Sequence, residues 1–585
     1  MARRISIRSR KTLMQLAISG AMCAFSMPLL AQESNNKASN DKTKKQDPDS
    51  LQEVIVTATR QASSLLKTPV AVSAITQEGL SREGITDVRG LSGIIPNLQL
   101  STGADSGVQI SIRGVSSNNF TEIGDPAVGL HVAGLYSPRP QGAMALMFDL
   151  DQVEVLRGPQ GTLFGRNSTA GSINLIPAKP EFGSSYGSTN LELGNYHQRQ
   201  INIIQNIAVS DTLALRTTMM NVKRDGWINQ TQDVTDVNIP DHGFIADGIP
   251  DVDQRHNQKV QRKDFYNNKN EWAARLAARL KLNPDLQWQL SYEKFQNNGA
   301  GDIGLKDCDQ AAGTRFACAG GKWDIQINVP GKIDMSIDTV RSALTWNLDS
   351  KNTIEYGFAY AVQKRKQQSD DDSGYHPLVS HDTATLPLSA DGDWGVWPVI
   401  DNSSLTLDSK YVSTVHDVQF KHNDDDLKYV AGGFWMHERN QINYAQEYLV
   451  NAPYGFPMSQ YYQQPNRQID AKAIYAQADW QFVPTWTATL GARFSRDNKD
   501  DQGGKVYGGW DTTLPAYYNG LFHPGIPGNS DFRAHNSANL TNQMGAFVGP
   551  SAYSEYGPPA QNDHAQSWKK LTYRIGLMKD ISPNE

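Results

Sequence analysis

Two arginines, Arg157 and Arg166, stand in the most distinctive stretch of this chain: V-E-V-L-R-G-P-Q-G-T-L-F-G-R-N-S-T-A-G-S-I-N-L-I, Val153 to Ile176. A guanidinium stays charged, so either side chain, if buried, requires carboxylate or carbonyl partners. Around them lie Gly158, Pro159, Gly161, Gly165 and Gly171, which let the backbone turn tightly and approach another surface, with Pro159 fixing one corner. The stretch reads as tight loops between two short strands, one at Val153 and Val155, the other at Ile173 and Leu175. A plain glycine-rich linker has the same composition. A phosphate loop does not: the glycine spacing is wrong, and Arg166-Asn167 stands where Lys-Ser/Thr is needed.

Catalytic chemistry finds no support elsewhere. There is no H-E-x-x-H or G-x-S-x-G, and no carboxylate pair stands out, so no catalytic residue, resident metal or cofactor is expected. His376, His381 and His437 read as separate surface histidines, and Trp394, Trp397, Tyr461 and Tyr462 as loop packing or ligand stacking. A net charge of -6, from 55 basic and 61 acidic residues, leaves no footprint for nucleic acid. The 585 residues imply at least two units. Beyond residue 31 no apolar run approaches the ~20 residues of a spanning helix, so any membrane crossing is by strands.

The elements that position these residues begin with an export signal. Arg3, Arg4, Arg8, Arg10 and Lys11 form its basic part, Leu13 to Phe25 its apolar part, and cleavage is expected after Ala31. Gln32 to Ser50 is polar and reads as a disordered tether. Then Leu51 to Arg60, with Val54, Ile55, Val56 and Thr57, forms a short strand-prone segment that cannot bury itself and suits strand addition to a partner's sheet edge. Residues from about 60 to 180 read as a compact α+β unit. In an exported protein Cys308 and Cys318 are expected to pair, closing a small loop.

From Gly183 onward, apolar and polar residues alternate. Trp272, Ala274, Leu276, Ala278 and Leu280 share one face, which a helix could also produce. After Asn283-Pro284-Asp285, Leu286, Trp288, Leu290 and Tyr292 continue with period two, so the pair reads as a hairpin. The pattern recurs at Ile354–Val362, Ile474–Phe482, Trp486–Phe494 and Leu571–Leu577, with Tyr475, Gln477, Asp479, Thr487, Thr489, Arg493, Thr572 and Arg574 on the polar face. Short turns fall at Asn283–Asp285, Leu348–Asn352, His422–Asp426 and Val483–Thr485. Long polar connections fall at Asp225–Lys269, Asn297–Met335, Lys366–Ser404, Asn440–Arg467 and Asp497–Ser567. A soluble sandwich also alternates; short turns at one end and long loops at the other favour an outer-membrane barrel.

The run L-R-G-P-Q-G-T-L-F-G-R-N-S-T-A-G-S-I-N resembles the end of the plug domain of TonB-dependent outer-membrane receptors, and P-V-A-V-S-A-I-T, G-L-S-G-I-I-P-N-L and I-S-I-R-G-V (with Arg113 and Gly114) resemble the rest of it. E-V-I-V-T-A, that is Glu53, Val54, Ile55, Val56, Thr57 and Ala58, resembles the TonB box. The resemblance implies a mainly β protein: signal 1–31, tether 32–50, TonB box 51–60, an α+β plug at 61–180 and an antiparallel transmembrane β-barrel over 183–585. It implies that Arg113 and Arg157 bind plug to barrel through carboxylates. It implies TonB with ExbB and ExbD as partners, barrel-assembly machinery and lipid around the wall, and uptake of a ligand, foremost a ferric siderophore, otherwise haem, cobalamin or a glycan. A passive channel or an adhesin is the rival. About a dozen strands can be counted, against about 22 in plugged transporters, so a receptor truncated at its C-terminus is expected.

Overall fold

The computed structural model describes residues 54–85, 88–102, 108–117, 124–139, 148–231, 261–303, 323–327, 330–370, 402–449, 458–509, 560–561 and 564–580. The expected signal, tether and Glu53, and Cys308, Cys318, His376, His381, Trp394 and Trp397, lie outside them.

The first part is the α+β unit. Its strands are β1 (Ile55–Val56), β2 (Ser63–Ser64), β3 (Val72–Thr76), β4 (Leu98–Thr102), β5 (Val108–Ile112), β6 (Val128–Val132), β7 (Leu135–Ser137), β8 (Leu150–Arg157) and β9 (Gly171–Pro177). One α-helix, Gln77–Arg82, follows β3; the Thr76 hydroxyl caps it by accepting from the Gly79 N–H. The central sheet has five strands in the order β3-β8-β9-β6-β7, with β6 and β9 parallel and the other pairs antiparallel. Runs such as V-E-V-L in β8 and S-I-N-L in β9 are buried on both faces, as a sheet covered on both sides requires.

The second part is a wall of meandering antiparallel strands. They are β10 (Tyr186–Gly194), β11 (Gln198–Ala208), β12 (Leu213–Arg224), β14 (Lys269–Lys281), β15 (Leu286–Asn297), β17 (Lys332–Asn347), β18 (Asn352–Asp370), β19 (Asn402–Asn423), β20 (Leu427–Leu449), β21 (Met458–Val483), β22 (Trp486–Gly509) and β24 (His564–Lys579). The two-residue β23 (Ala560–Gln561) also pairs with β22, and β13 (Asn229–Thr231) pairs in parallel with β16 (Asp324–Gln326) outside the wall. Among the described residues β10 pairs only with β11 and β24 only with β22, so these strands do not close on each other.

The ambiguous Glu271–Leu282 segment is strand. In β14, Ala273 and Arg275 are buried while Leu276 is 55% exposed, so period two holds and the apolar side faces out. The inward and outward assignments on β21 and β22 also hold: Tyr475, Gln477, Thr489 and Arg493 are buried, and Ile474 and Leu490 are exposed. The loops at Asn440–Arg467 and Asp497–Ser567 are shorter than expected, because β20 runs on to Leu449, β21 starts at Met458 and β22 reaches Gly509. Beyond the apolar band both strand faces carry polar residues, so the ladder continues where the alternation that marks it has ended. Among the described residues no helix is long and apolar enough to cross a membrane.

The core is shared between the two parts. Leu91, Ile110, Leu130 and Val153 of the first pack with Ala273, Phe295, Ile333 and Ile337 of the wall. Leu135, Leu156 and Phe164 pack with Val415, Phe434 and Ile469. The wall's inward face therefore completes the core of the unit it surrounds.

Candidate functional site

The glycine-rich stretch forms the connection from β8 to β9. At Gly165 the backbone takes φ +78°, and a Cβ there would lie 2.6 Å from an Arg493 guanidinium nitrogen on the wall. At Gly171 a Cβ would run into the Leu156 carbonyl. Gly165, in a backbone conformation that favours glycine, brings the loop against the wall at Arg493, and Gly171 packs its far end against β8 of the plug. The Thr572 hydroxyl reaches Gly161 O at 3.5 Å, and Arg574 Nη2 donates to Pro69 O at 2.6 Å.

Ionic ties join the two parts at separate places around the seam. Asp149 receives Arg216 at 2.6 and 2.8 Å, Thr218 Oγ1 at 2.6 Å and Arg275 Nη2 at 3.2 Å. Burial pushes its carboxyl up, but the hydrogen bonds from Arg216 and Thr218 and the Arg275 charge hold it below the usual range. Asp125 bridges Arg166 Nη2 (3.2 Å) and Lys499, and Arg166 also faces Asp497 at 3.7 Å. Burial again opposes ionisation at Asp125, yet the two cations win and bring it down to about 2. Arg139 meets Glu438, both buried. Arg60 Nη1 meets Asp417 Oδ2 at 3.1 Å, with exposures of 7% and 3%.

The segment that carries the TonB-box resemblance is tucked in rather than free. Val56 and Ala58 are buried, and Ile55 and Val56 pair with Ser64 and Ser63. The fully buried Glu154 carboxylate accepts from Thr57 N (2.6 Å), Thr57 Oγ1 (2.9 Å), Gln152 Nε2 (2.8 Å) and Asn174 Nδ2 (3.2 Å). Two residues after Ala58, Arg60 takes φ +65° and donates to Gly134 O and Leu163 O as well as to Asp417. Tyr475 OH donates to the other Asp417 oxygen at 2.8 Å. Gln61 then reaches the wall beside a short turn, donating to His422 O and Tyr429 O. The expectation that this segment cannot bury itself is corrected: a carboxylate and a wall cleft supply the partners that its own residues lack. Next to it lies a cavity of about 450 Å³ between sheet and wall, lined by Thr57, Arg60, Asn174, Arg279, Glu355 and Lys421 among others.

Of the arginines singled out in the sequence, only Arg166 makes such a tie. Arg113 is exposed with φ +55°, its side chain lying near Gly158, and Arg157 is half-buried; neither forms an ion pair with a described residue. Sequence reading missed Arg60, Asp125, Arg139, Asp149 and Glu154. The available signal was on the wall, where charged residues such as Arg216, Arg275, Asp417 and Glu438 occupy inward positions of alternating strands.

A compact unit seated on the polar face of an outward-apolar, antiparallel wall is the arrangement of a plug against β-barrel strands. The TonB-dependent receptor plug domain family matches residues 64–172. The pesticin receptor of Yersinia pestis is 35% identical over 144 residues, which are 24% of this chain and 20% of that protein. The ferrioxamine B receptor of Salmonella typhimurium is 32% identical over 196 residues, 32% of this chain and 25% of that one. Among solved structures, the ferric yersiniabactin uptake receptor FyuA from Yersinia pestis superposes with TM-score 0.60 at 14% identity, over 88% of this chain and 62% of that one. The siderophore receptor PiuA from Acinetobacter baumannii gives 0.56 at 14%, over 89% and 64%. This chain thus spans less than two thirds of the length of these relatives. Residues 64–172 thus match the plug domain of TonB-dependent receptors, and the described fold is shared with these solved receptors.

Proposed function

We propose that the protein acts at the cell outer membrane in energy-coupled uptake of a scarce ligand, a ferric siderophore before haem, cobalamin or a glycan. The observation that carries this is the seating of Val54–Ala58 and Arg60 beside the short turns, bonded both to the plug through Glu154 and to the wall through Asp417. A segment so placed links any pull from the short-turn side to the plug that fills the wall. In this reading the short turns face the periplasm, the long loops face outward, Glu53–Ala58 is the TonB box, and TonB adds a strand to it. ExbB and ExbD supply the proton-motive work, because the outer membrane has no nucleotide supply. The relatives' names, which include ferrioxamine B and yersiniabactin receptors, support the siderophore class. Barrel-assembly machinery inserts the wall, residues 1–31 direct export, and no catalysis is involved.

The test is growth under iron limitation with a panel of ferric chelates, comparing the full chain with a deletion of Glu53–Ala58. Growth on one chelate that is lost on deletion supports the importer. Uptake that is indifferent to the deletion marks a passive channel, and no uptake with surface adhesion marks an adhesin.

A further inference from the structure

The cavity of about 450 Å³ between the plug sheet and the wall holds more positive charge than its own acids balance. Among the described residues, every carboxylate that lines it is already engaged: Asp417 by Arg60 at 3.1 Å, Glu355 by Lys421 at 2.6 Å, and Glu293 by Arg341. Three further cations, Lys179, Arg275 and Arg279, line the same space. Arg275 shares Asp149 with Arg216, yet its Nη1 is buried without a hydrogen bond to a described residue and stands 4.0 Å from Glu293 Oε1. Lys179 and Arg279 form no ion pair with a described residue. A cleft lined by one sign of charge focuses its field and concentrates counter-ions.

Arg279 is held in place by neutral groups alone. Its Nη2 and Nε donate to Gln287 Oε1 at 2.8 and 3.2 Å, and its Nη1 lies 3.5 Å from Pro180 O. Its Cζ is 4.9 Å from the Phe182 ring centre, and Lys281 Nζ sits over the same ring at 4.3 Å. A ring face attracts a cation but carries no net charge, so the guanidinium is oriented without being neutralised. Pro180 adjoins Lys179, whose exposed ammonium therefore shares this mouth of the cavity. Register sets Gln289 opposite Arg279 and Ser291 opposite Ala277, so short or neutral side chains leave room before the guanidinium. The Asn283–Asp285 turn begins four residues after Arg279, which puts the mouth at the short-turn end. Thr57, Arg60 and Ala62 border the same cavity, so the segment that precedes the plug forms part of its boundary.

We propose that Arg279 and Lys179 form a carboxylate-binding site at the short-turn mouth of this cavity, which receives a carboxylate-bearing chelate after it has passed the plug. Arg279 offers a planar fork suited to bidentate binding of one carboxylate, and Lys179 adds a point charge beside it. The direction of passage rests on the import reading. The binding does not, and because the assay below contains no transport step, failed uptake and failed binding are read separately. Free small carboxylates present the same chemistry, so the chelate and the free acid are separate arms.

The full chain in detergent is given a Gln289→Cys reporter opposite Arg279, with the parent chain as background for the native cysteines. Its reaction with anionic sulfonatoethyl methanethiosulfonate and with the cationic trimethylammonium-ethyl analogue is timed, each rate divided by that on a free thiol. The anionic reagent should be favoured about tenfold, as focusing in a one-sign cleft implies. That preference should vanish in Arg279→Gln/Lys179→Gln and persist in Arg279→Lys/Lys179→Arg, which separates loss of charge from loss of fold. Ferric citrate and citrate should both protect the reporter, and triethyl citrate, which lacks the charge, should not. A preference that survives the double glutamine change would overturn the proposal, as would equal protection by triethyl citrate. Protection by citrate without protection by ferric citrate, or equal protection by inorganic phosphate at the same concentration, would mark a free-anion site and overturn the assignment to a chelate.

Discussion

Arg60 of the plug and Asp417 of the wall, 357 residues apart in the chain, meet at 3.1 Å in a setting that is closed to solvent on both sides. The Arg60 guanidinium lies 5.1 Å from the Phe164 ring centre and 5.9 Å from that of Tyr475, and Tyr475 holds the second Asp417 oxygen. Because Arg60 lies two residues after Ala58, this contact fixes where the Val54–Ala58 segment leaves the seam.

Removing one partner of a buried ion pair costs about 3–5 kcal/mol, since the other charge is left stranded. Asp417→Ala should therefore loosen the segment before Arg60. With a Val56→Cys reporter, which sits at a fully buried position, thiol labelling should accelerate at least tenfold relative to the reporter alone. Unchanged labelling would mean that Arg60 is held well enough by the Gly134 and Leu163 carbonyls.

Glu154→Ala should act on the same segment from the plug side. It removes the acceptor used by Thr57, Gln152 and Asn174, and an unsatisfied buried donor costs about 1–3 kcal/mol. Limited proteolysis should then cut between residues 54 and 64 with the rest of the plug intact; protection equal to wild type would show that Glu154 does not hold this segment in place.

Gly165→Ala tests the fit of the glycine-rich loop. A left-handed backbone costs a non-glycine residue about 1–2 kcal/mol, and the added methyl would press on the Arg493 guanidinium. The variant should lower the midpoint of plug unfolding, and Arg493→Ala should recover the steric share only. Full recovery would show that the φ of +78° carries no cost of its own.

Acid should release the plug through Asp125. Its carboxyl stands at about 2 when folded and about 3.9 when unfolded. Because the folded value is the lower one, the stabilisation is complete above about pH 4 and disappears as pH falls toward 2. Urea titrations between pH 5 and 2.5 should show this fall in the wild type and a flatter profile in Asp125→Asn. Parallel profiles would assign acid sensitivity to Asp149, which is shifted in the same direction.

His131 gives a separate dependence at milder pH. It is fully buried, packs edge-on to Phe164 at 4.9 Å and shares a hydrogen bond with Ser172 Oγ. Burial and the nearby Arg60 charge keep it neutral well below its usual range. Since the unfolded chain takes up the proton first, stability is full above about pH 6.5 and declines below it. His131→Leu should remove the slope between pH 7 and 5.5 measured by plug unfolding; an unaltered slope would place the titrating group elsewhere.

Local pattern determined much of this protein. The period-two alternation across Trp272–Leu282 and Ile474–Phe494 sets which side faces outward, because successive strand side chains must point to opposite faces. The turns at Asn283–Asp285 and Val483–Thr485, and the glycines from Gly158 to Gly171, were legible for the same reason: each constrains only its neighbours in the chain. Tertiary structure alone decided which charges meet. Arg113 and Arg157 look as eligible as Arg60 and Arg139, yet only the latter two face Asp417 and Glu438. A carboxylate in a wall strand can select its cation only after the plug is seated, since Coulomb attraction and desolvation depend on distance in space and not on position in the chain.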